Sequence, residues 1–225
     1  MHILWGITGA GFYLKETFEV MSEVSKEHKI SICLSRAGSD VVRMYGLFEK
    51  MHDITQKIYA GCDYNTSVTK KIYTKFYDLL IIAPCTTNSA AKISKGISDT
   101  LVTNIFSDAQ KNRVRTLIFP TDQKEVIEIT IPFFIKKERC TCSECAAEKS
   151  CPTGAAVFKK GIKIDFTKCI SCYKCIESCS RGAIERDHPH TIYSKKVDLK
   201  NVDDLSHYPS LKILKTPFEI VESIQ

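Results

Sequence analysis

Eight of the eleven cysteines fall within residues 140–179. Cys169, Cys172, Cys175 and Cys179 form a CxxCxxCxxxC run, and Cys140, Cys142, Cys145 and Cys151 form a looser one followed by Pro152. Three thiolates spaced two residues apart in one tight loop can face three irons of a 4Fe-4S cube, whereas the next cysteine lies too far along the chain and reaches another cube. An internal repeat sets Cys151-Pro152-Thr153-Gly154-Ala155-Ala156 against Cys179-Ser180-Arg181-Gly182-Ala183-Ile184. Spacing and repeat together predict a crossed arrangement: one cluster on Cys140, Cys142, Cys145 and Cys179, the other on Cys169, Cys172, Cys175 and Cys151. Two zinc sites are the competing reading, but they favour separated CxxC pairs and leave the crossed repeat without a reason. The first run departs from the pattern, with CxC in place of CxxC and five residues instead of three before Cys151.

A second set of residues suits an anion. Gly6-Ile7-Thr8-Gly9-Ala10-Gly11 sits between an expected strand and an expected helix, where backbone amides and a helix N-terminus can hold a phosphate. It departs from the dinucleotide fingerprint: Leu14 stands at the third glycine position, and the next strand ends in Ser35-Arg36 without an acidic residue. That composition fits a mononucleotide better than NAD; a tight turn without a ligand is the alternative. Further on, Ala83-Pro84-Cys85-Thr86-Thr87-Asn88 places hydroxyls and an amide at the carboxyl end of an apolar strand, where open α/β sheets bind ligands. Cys85 has no histidine near it in sequence and reads as a small residue at a strand end. His188-Pro189-His190 matches no metal motif and reads as a surface turn.

These groups need elements to hold them. A chain of 225 residues with 44% hydrophobic and 26% charged residues can bury the core of one α/β domain plus a small module. Strands are expected at Ile3–Thr8, Lys29–Leu34, Asp78–Ala83 and Arg115–Phe119. Between them lie a helix with Leu14, Phe18, Met21 and Ser25 at helical spacing, a helix capped at Ser39-Asp40 and running to Lys50, and two helices separated by Gly96, the second capped by Ser98 or Asp99. Residues 52–77 carry no decisive period. Beyond the cysteines, Val197–Leu205 reads as helix, Leu211–Leu214 as strand and Thr216-Pro217 as the start of a helix. Those last residues cannot bury their apolar faces alone. The expectation is therefore a doubly wound, flavodoxin/Rossmann-like parallel sheet (1–135 and 191–225) with an inserted small α+β module at 136–190, the sheet's chain resuming near residue 192. The net charge of +6 comes from scattered lysines, which predicts no nucleic-acid partner. No apolar run approaches the roughly 18 residues that span a bilayer. The start also lacks the basic segment of a secretory signal, so a cytoplasmic protein with metal-binding cysteines, rather than disulfides, is expected.

Over about fifty residues the cysteine module resembles the bacterial two-cluster ferredoxins. The GITGAGF start, Ser35-Arg36 and the stretch from Ala83 to Asn104 resemble the flavin-dependent family that includes phosphopantothenoylcysteine decarboxylases and flavin prenyltransferases, over residues 1–130 and the 195–225 tail. That resemblance implies FMN, with Thr8, Gly9, Ala10, Ser35, Arg36, Thr86, Thr87 and Asn88 as contacts. It makes Trp5 and Phe12 candidates to stack on the flavin, with core packing the alternative. It also implies a trimer-based homo-oligomer. The Pro-x-Met-Asn motif of the cysteine decarboxylases is absent. The combination of both parts is similar to the acceptor-type dihydromethanopterin reductases of methanogenic archaea. This implies an oxidoreductase in which ferredoxin or another low-potential donor supplies electrons through two [4Fe-4S] clusters and FMN to a pterin. An electron-transfer flavoprotein serving a protein partner is the second reading, and a decarboxylase or prenyltransferase with an idle ferredoxin is the third.

Overall fold

Short apolar runs alternating with amphipathic ones fold, in the computed structural model of residues 1–224, as parallel strands and covering helices. The first part runs β1 (His2–Ile7), α1 (Leu14–Val24), β2 (Lys29–Leu34), α2 (Arg36–Met44), α3 (Phe48–Ile54), β3 (Ile58–Tyr59), α4 (Thr66–Tyr73), β4 (Leu79–Cys85), α5 (Thr87–Ser94), α6 (Leu101–Lys111) and β5 (Arg115–Pro120). The cysteine-bearing part runs β6 (Val126–Ile131), β7 (Phe134–Ile135), α7 (Ala146–Lys149), β8 (Ala156–Phe158), β9 (Ile162–Ile164), α8 (Lys174–Glu177), β10 (Ile184–Glu185) and β11 (His188–Tyr193). The chain ends in α9 (Lys196–Asp204), β12 (Leu211–Ile213) and α10 (Glu219–Ile224).

The main sheet has the order β12-β5-β4-β1-β2-β3 with every pairing parallel. Every residue of β4 is buried, as a strand covered on both faces requires. Alternate residues feed two cores. Ile3, Trp5 and Ile7 of β1 and Leu79, Ile81 and Ala83 of β4 pack with Leu14, Phe18 and Met21 of α1. Leu4, Leu80, Ile82 and Cys85 pack on the opposite face with Ile93, Val102 and Ile105. The chain turns outward in both directions from β1, so the crevice between β1 and β4 is the switch point of the sheet.

After the cysteines the chain comes back. β11 pairs antiparallel with β6 over six residues, from His188 opposite Ile131 to Tyr193 opposite Val126. β12 then adds a parallel edge strand beside β5, and Ile220 of α10 joins the core under α1. Between the ribbon strands, β7–β10 and β8–β9 form two small antiparallel pairs around their own apolar cluster. Among the described residues no helix is long and apolar enough to cross a membrane.

Several boundaries differ from expectation. The cap expected at Ser39-Asp40 is Ser35, whose Oγ accepts from the Gly38 amide at 3.0 Å; the helix stops at Met44, and α3 begins after Gly46, which sits at φ +69°. Residues 52–77 contain the short β3 and α4. The second helix after Gly96 is capped by Thr100, reciprocally with Thr103. The last helix begins at Glu219, two residues past Pro217. His188-Pro189-His190 is the first half of β11, not a turn.

Candidate functional site

Seven of the eight module cysteines, all but Cys172, pack in or against the apolar cluster of Phe133, Ala147, Ala156, Ile162 and Ile184. Cys151, Cys169, Cys172 and Cys175 line one small cavity with Phe133, Ile164 and Tyr173. Burial, then the neighbouring Cys169, Cys151 and Cys172 thiols, push Cys175 up to about 11. Cys140, Cys142 and Cys145 neighbour one another: burial, then Cys145 and Cys140, raise the Cys142 thiol. Amides aim at four sulfurs: Ile162 at Cys140 (3.3 Å), Ala156 at Cys151 (3.3 Å), Ser171 at Cys169 (3.4 Å) and Ala183 at Cys179 (3.3 Å). Although burial opposes it, the Cys151 thiol is held below its ordinary value by the amides of Ala156, Thr153 and Ala155 and by the Thr153 hydroxyl. Amide-stabilised sulfurs around an apolar cavity fit the charge of an iron–sulfur cube, whose sulfurs accept such hydrogen bonds. Among the described residues no three His, Cys, Asp or Glu side chains converge on a single-ion site.

The second site is the crevice between β1 and β4. Thr8 is fully buried; its hydroxyl donates to the Pro84 carbonyl (2.9 Å) and accepts from the Thr86 amide (2.7 Å), tying the loops after the two strands. Thr86 caps α5 through the Ser89 amide (3.2 Å). A Cβ on Gly9 would stand 2.6 Å from the Ala37 Cβ, and one on Gly38 would stand 2.5 Å from the Ile7 carbonyl, so the α2 entrance lies tight against the first loop. Among the described residues the amides of Gly9, Ala10, Gly11 and Phe12 donate to no protein acceptor. A row of free amides beside two helix N-termini is a nest for a phosphate, and this is the observation by which the residues present fit a mononucleotide. Arg36 is exposed and paired with Asp63 at 2.6 Å, while Thr87 is half-buried and Asn88 exposed on the first turn of α5.

Contacts that no spacing announced join the two sites. The Ser171 hydroxyl, set between two of the cysteines, donates to the carbonyls of Arg43 (2.8 Å) and Met44 (3.3 Å), and Met44 packs into the module's core. Next to it, Tyr45 lies over Gly11, where a Cβ would run into the phenol, and its hydroxyl donates to the Thr130 carbonyl at 2.9 Å. Burial, reinforced by Asp187 and Glu16, pushes the Tyr45 phenol up to about 12, so it remains a donor at neutral pH. Lys15 reaches Asp187 across the same seam at 3.3 Å. The loop carrying Cys169 and Cys172 is thus braced on the turn that covers the anion-holding loop.

A family model described as Flavoprotein matches residues 1–132, and one described as 4Fe-4S binding domain matches residues 162–185. A dihydromethanopterin reductase (acceptor) of Methanosarcina mazei is 34% identical over 98% of this chain and 97% of its own. The chain belongs to the dihydromethanopterin reductase (acceptor) family. A member from Methanocaldococcus jannaschii is 36% identical over 99% of this chain and 95% of its own. The crystal structure of Burkholderia xenovorans DmrB in complex with FMN, described as a cubic protein cage for redox transfer, superposes with a TM-score of 0.64 at 18% identity. It covers 99% of this chain and 92% of that one. The shared fold is an α/β doubly wound sheet; this chain carries its 4Fe-4S motif alongside that sheet.

In this family member the remaining sequence candidates fall out as follows. Trp5 has no exposed surface and spends its indole N–H on the Ala83 carbonyl at 2.9 Å, so it is core and not a flavin-stacking residue. Phe12 is half-buried, edge-on to Tyr13 at 4.6 Å. Cys85 is buried, and burial followed by Asp122 pushes its thiol up, away from nucleophilic use. His188 stacks on Phe134 at 3.9 Å and meets Glu185 at 3.0 Å, which makes it a strut of the ribbon.

Proposed function

We propose that this chain is an iron–sulfur flavoprotein oxidoreductase. In this reading, electrons from a low-potential donor such as a ferredoxin enter through two [4Fe-4S] clusters and leave through FMN to a pterin, reducing a dihydromethanopterin to its tetrahydro form. Flavin-domain residues 1–135 and 191–225 would hold the nucleotide, and the inserted residues 136–190 the clusters. When bound, FMN exchanges electrons singly or as a pair, while 4Fe-4S clusters pass them singly at low potential.

The chain's own residues have positioning roles. Amides of Gly9–Phe12, with the α2 entrance at Ser35 and the α5 entrance at Thr86 to Asn88, would receive the phosphate and ribityl oxygens. Thr8 holds the two loops at one spacing. Cys169, Cys172, Cys175 and Cys151 would ligate one cluster, and Cys140, Cys142, Cys145 and Cys179 the other. Support for the substrate comes from the names of the M. mazei and M. jannaschii relatives, and support for FMN and for a homo-oligomer, which we take to be trimer-based, from the B. xenovorans cage.

The single observation that carries the reading is the joint between the parts: Ser171, inside a cysteine run, is hydrogen-bonded to the turn whose Tyr45 covers the anion loop. The test is an anaerobic preparation with iron, sulfide and flavin quantified, followed by addition of dihydromethanopterin to the reduced protein. Return of the oxidised flavin spectrum supports the reading. A reduced flavin indifferent to the pterin but reoxidised by a protein acceptor replaces it with electron transfer alone, and zinc in place of iron removes it.

A further inference from the structure

Four lysines of the module surround one depression. Lys137, Lys159, Lys160 and Lys163, with Ile135, Val157, Gly161 and Ile162, line a cavity of about 710 Å³ that also exposes the Cys140 side chain. The β8–β9 hairpin that carries three of them hangs on that cysteine, because the Ile162 amide donates to Cys140 Sγ at 3.3 Å and Gly161 turns the chain at φ +131°. The lysine–carboxylate pairs of the module are Lys136–Glu185, Lys149–Glu144 and Lys168–Asp165, so none of the four has an anionic partner among the described residues. Unneutralised ammonium groups crowded on one side cost stability through mutual repulsion, which a binding role offsets.

The loop of the other thiol set is fastened through Ser171 to Arg43 and Met44 on the sheet side, although Cys172 within it is exposed. What distinguishes the Cys140 side is its charge: the lysine-lined depression borders that set and gives an anionic donor arriving from solution a guided approach to it. The cavity offers charge and an apolar floor but no buried hydroxyl or amide to orient a particular small molecule, and that is the chemistry of electrostatic docking.

We propose that this lysine-rimmed depression is the docking surface for an acidic redox protein, which delivers its electrons to the cluster held by Cys140, Cys142, Cys145 and Cys179. This assignment rests on the redox function proposed above. The test uses the holoenzyme and, as probe, an acidic two-cluster ferredoxin, with two readouts: equilibrium binding of the oxidised proteins, and stopped-flow reduction compared with reduced methyl viologen, a cation. Wild-type binding should weaken at least tenfold from low to physiological ionic strength. The variant Lys159→Glu/Lys160→Glu/Lys163→Glu should lose binding and slow ferredoxin-driven reduction by about 10- to 1,000-fold, as expected for lost steering. Reduction by methyl viologen should not slow, and the matching Lys→Arg variant should behave as wild type.

Equal ferredoxin binding by wild type and the charge-reversed variant overturns the proposal. So does competition by inorganic phosphate at fixed ionic strength, which marks a small-anion site, or a changed oligomeric state, which marks a contact between copies. Iron analysis separates the two levels: full iron without ferredoxin binding rejects only the docking surface, whereas a chain without iron rejects the redox reading beneath it.

Discussion

Thr8 shows how one hydroxyl can set a site without pointing into it. Its oxygen bridges the Pro84 carbonyl and the Thr86 amide from a fully buried position, so replacing it by isosteric valine leaves the part-buried Thr86 N–H without its partner. Thr8→Val should cost about 1–3 kcal/mol. At about 2–4 °C per kcal/mol for a chain of this size, the melting temperature should fall by about 2–12 °C. Flavin affinity should fall with it, because the loops after β1 and β4 are no longer tied; calorimetry and flavin titration read both, and an unchanged melting curve would show the bridge to be idle. The cysteines allow a sharper test, because crossed ligation makes sequence neighbours independent and distant residues equivalent. Cys151 shares a cavity with Cys169, Cys172 and Cys175. Cys151→Ser and Cys172→Ser should therefore each lose about four irons, one cube's worth, and the double variant no more than either single one. Cys142→Ser combined with Cys172→Ser should lose nearly all the iron. Additive losses in the Cys151/Cys172 pair would refute the crossed assignment.

At the scale of elements, what was legible in sequence were the segments that carry their own signal. Lys29–Leu34 is β2 as read, and the apolar run beginning at Leu79 is β4, because strands buried on both faces are apolar throughout. What hid were choices settled by partners. Ser98, Asp99 and Thr100 can each cap a helix, but Asp99 is drawn to Lys92 at 2.8 Å, leaving Thr100 to do it. β3 is two residues held by β2, and α4 buries only Val68 and Ile72, so neither repeats long enough to show a period. Ser171 gave no sign at all, since its partners are backbone carbonyls 127 and 128 residues away. That contact makes a prediction. In Ser171→Ala, iron, sulfide and flavin contents should hold, while residues 136–190 become more protease-sensitive and electron passage from clusters to flavin slows. Gly46→Ala should act the same way and more strongly, because an alanine at φ +69° costs about 1–2 kcal/mol and its Cβ would press on Ser171 Cβ at 3.1 Å. Unaltered proteolysis in both variants would mean that the module is held elsewhere.

For the whole molecule, the register of the β6–β11 ribbon states how the two parts were joined. His188 lies opposite Ile131, so the chain leaves for the cysteine module and returns at the same point of one antiparallel pair. Both apolar cores of the sheet, including Leu214 and Ile220 from the tail, lie outside residues 132–187. The module in turn has its own apolar cluster, to which Met44 is the contributor from the sheet side. An insertion built this way should be removable. Replacing residues 132–187 by Asn-Gly, the dipeptide that closes a two-residue hairpin, should leave a soluble chain that binds flavin and carries no iron. The losses at the seam are the Ser171 hydrogen bonds, the packing of Met44 on the module, the exposed Lys15–Asp187 pair, the His188–Glu185 pair and the Phe134–His188 stack, which are small against two intact cores. The shortened protein should still be reduced by methyl viologen and no longer respond to an acidic ferredoxin. Flavin stoichiometry, iron analysis and the two reduction rates measure this directly. An insoluble or flavin-free product would mean that the sheet depends on the module for its fold, and that the ribbon is not the joint its register describes.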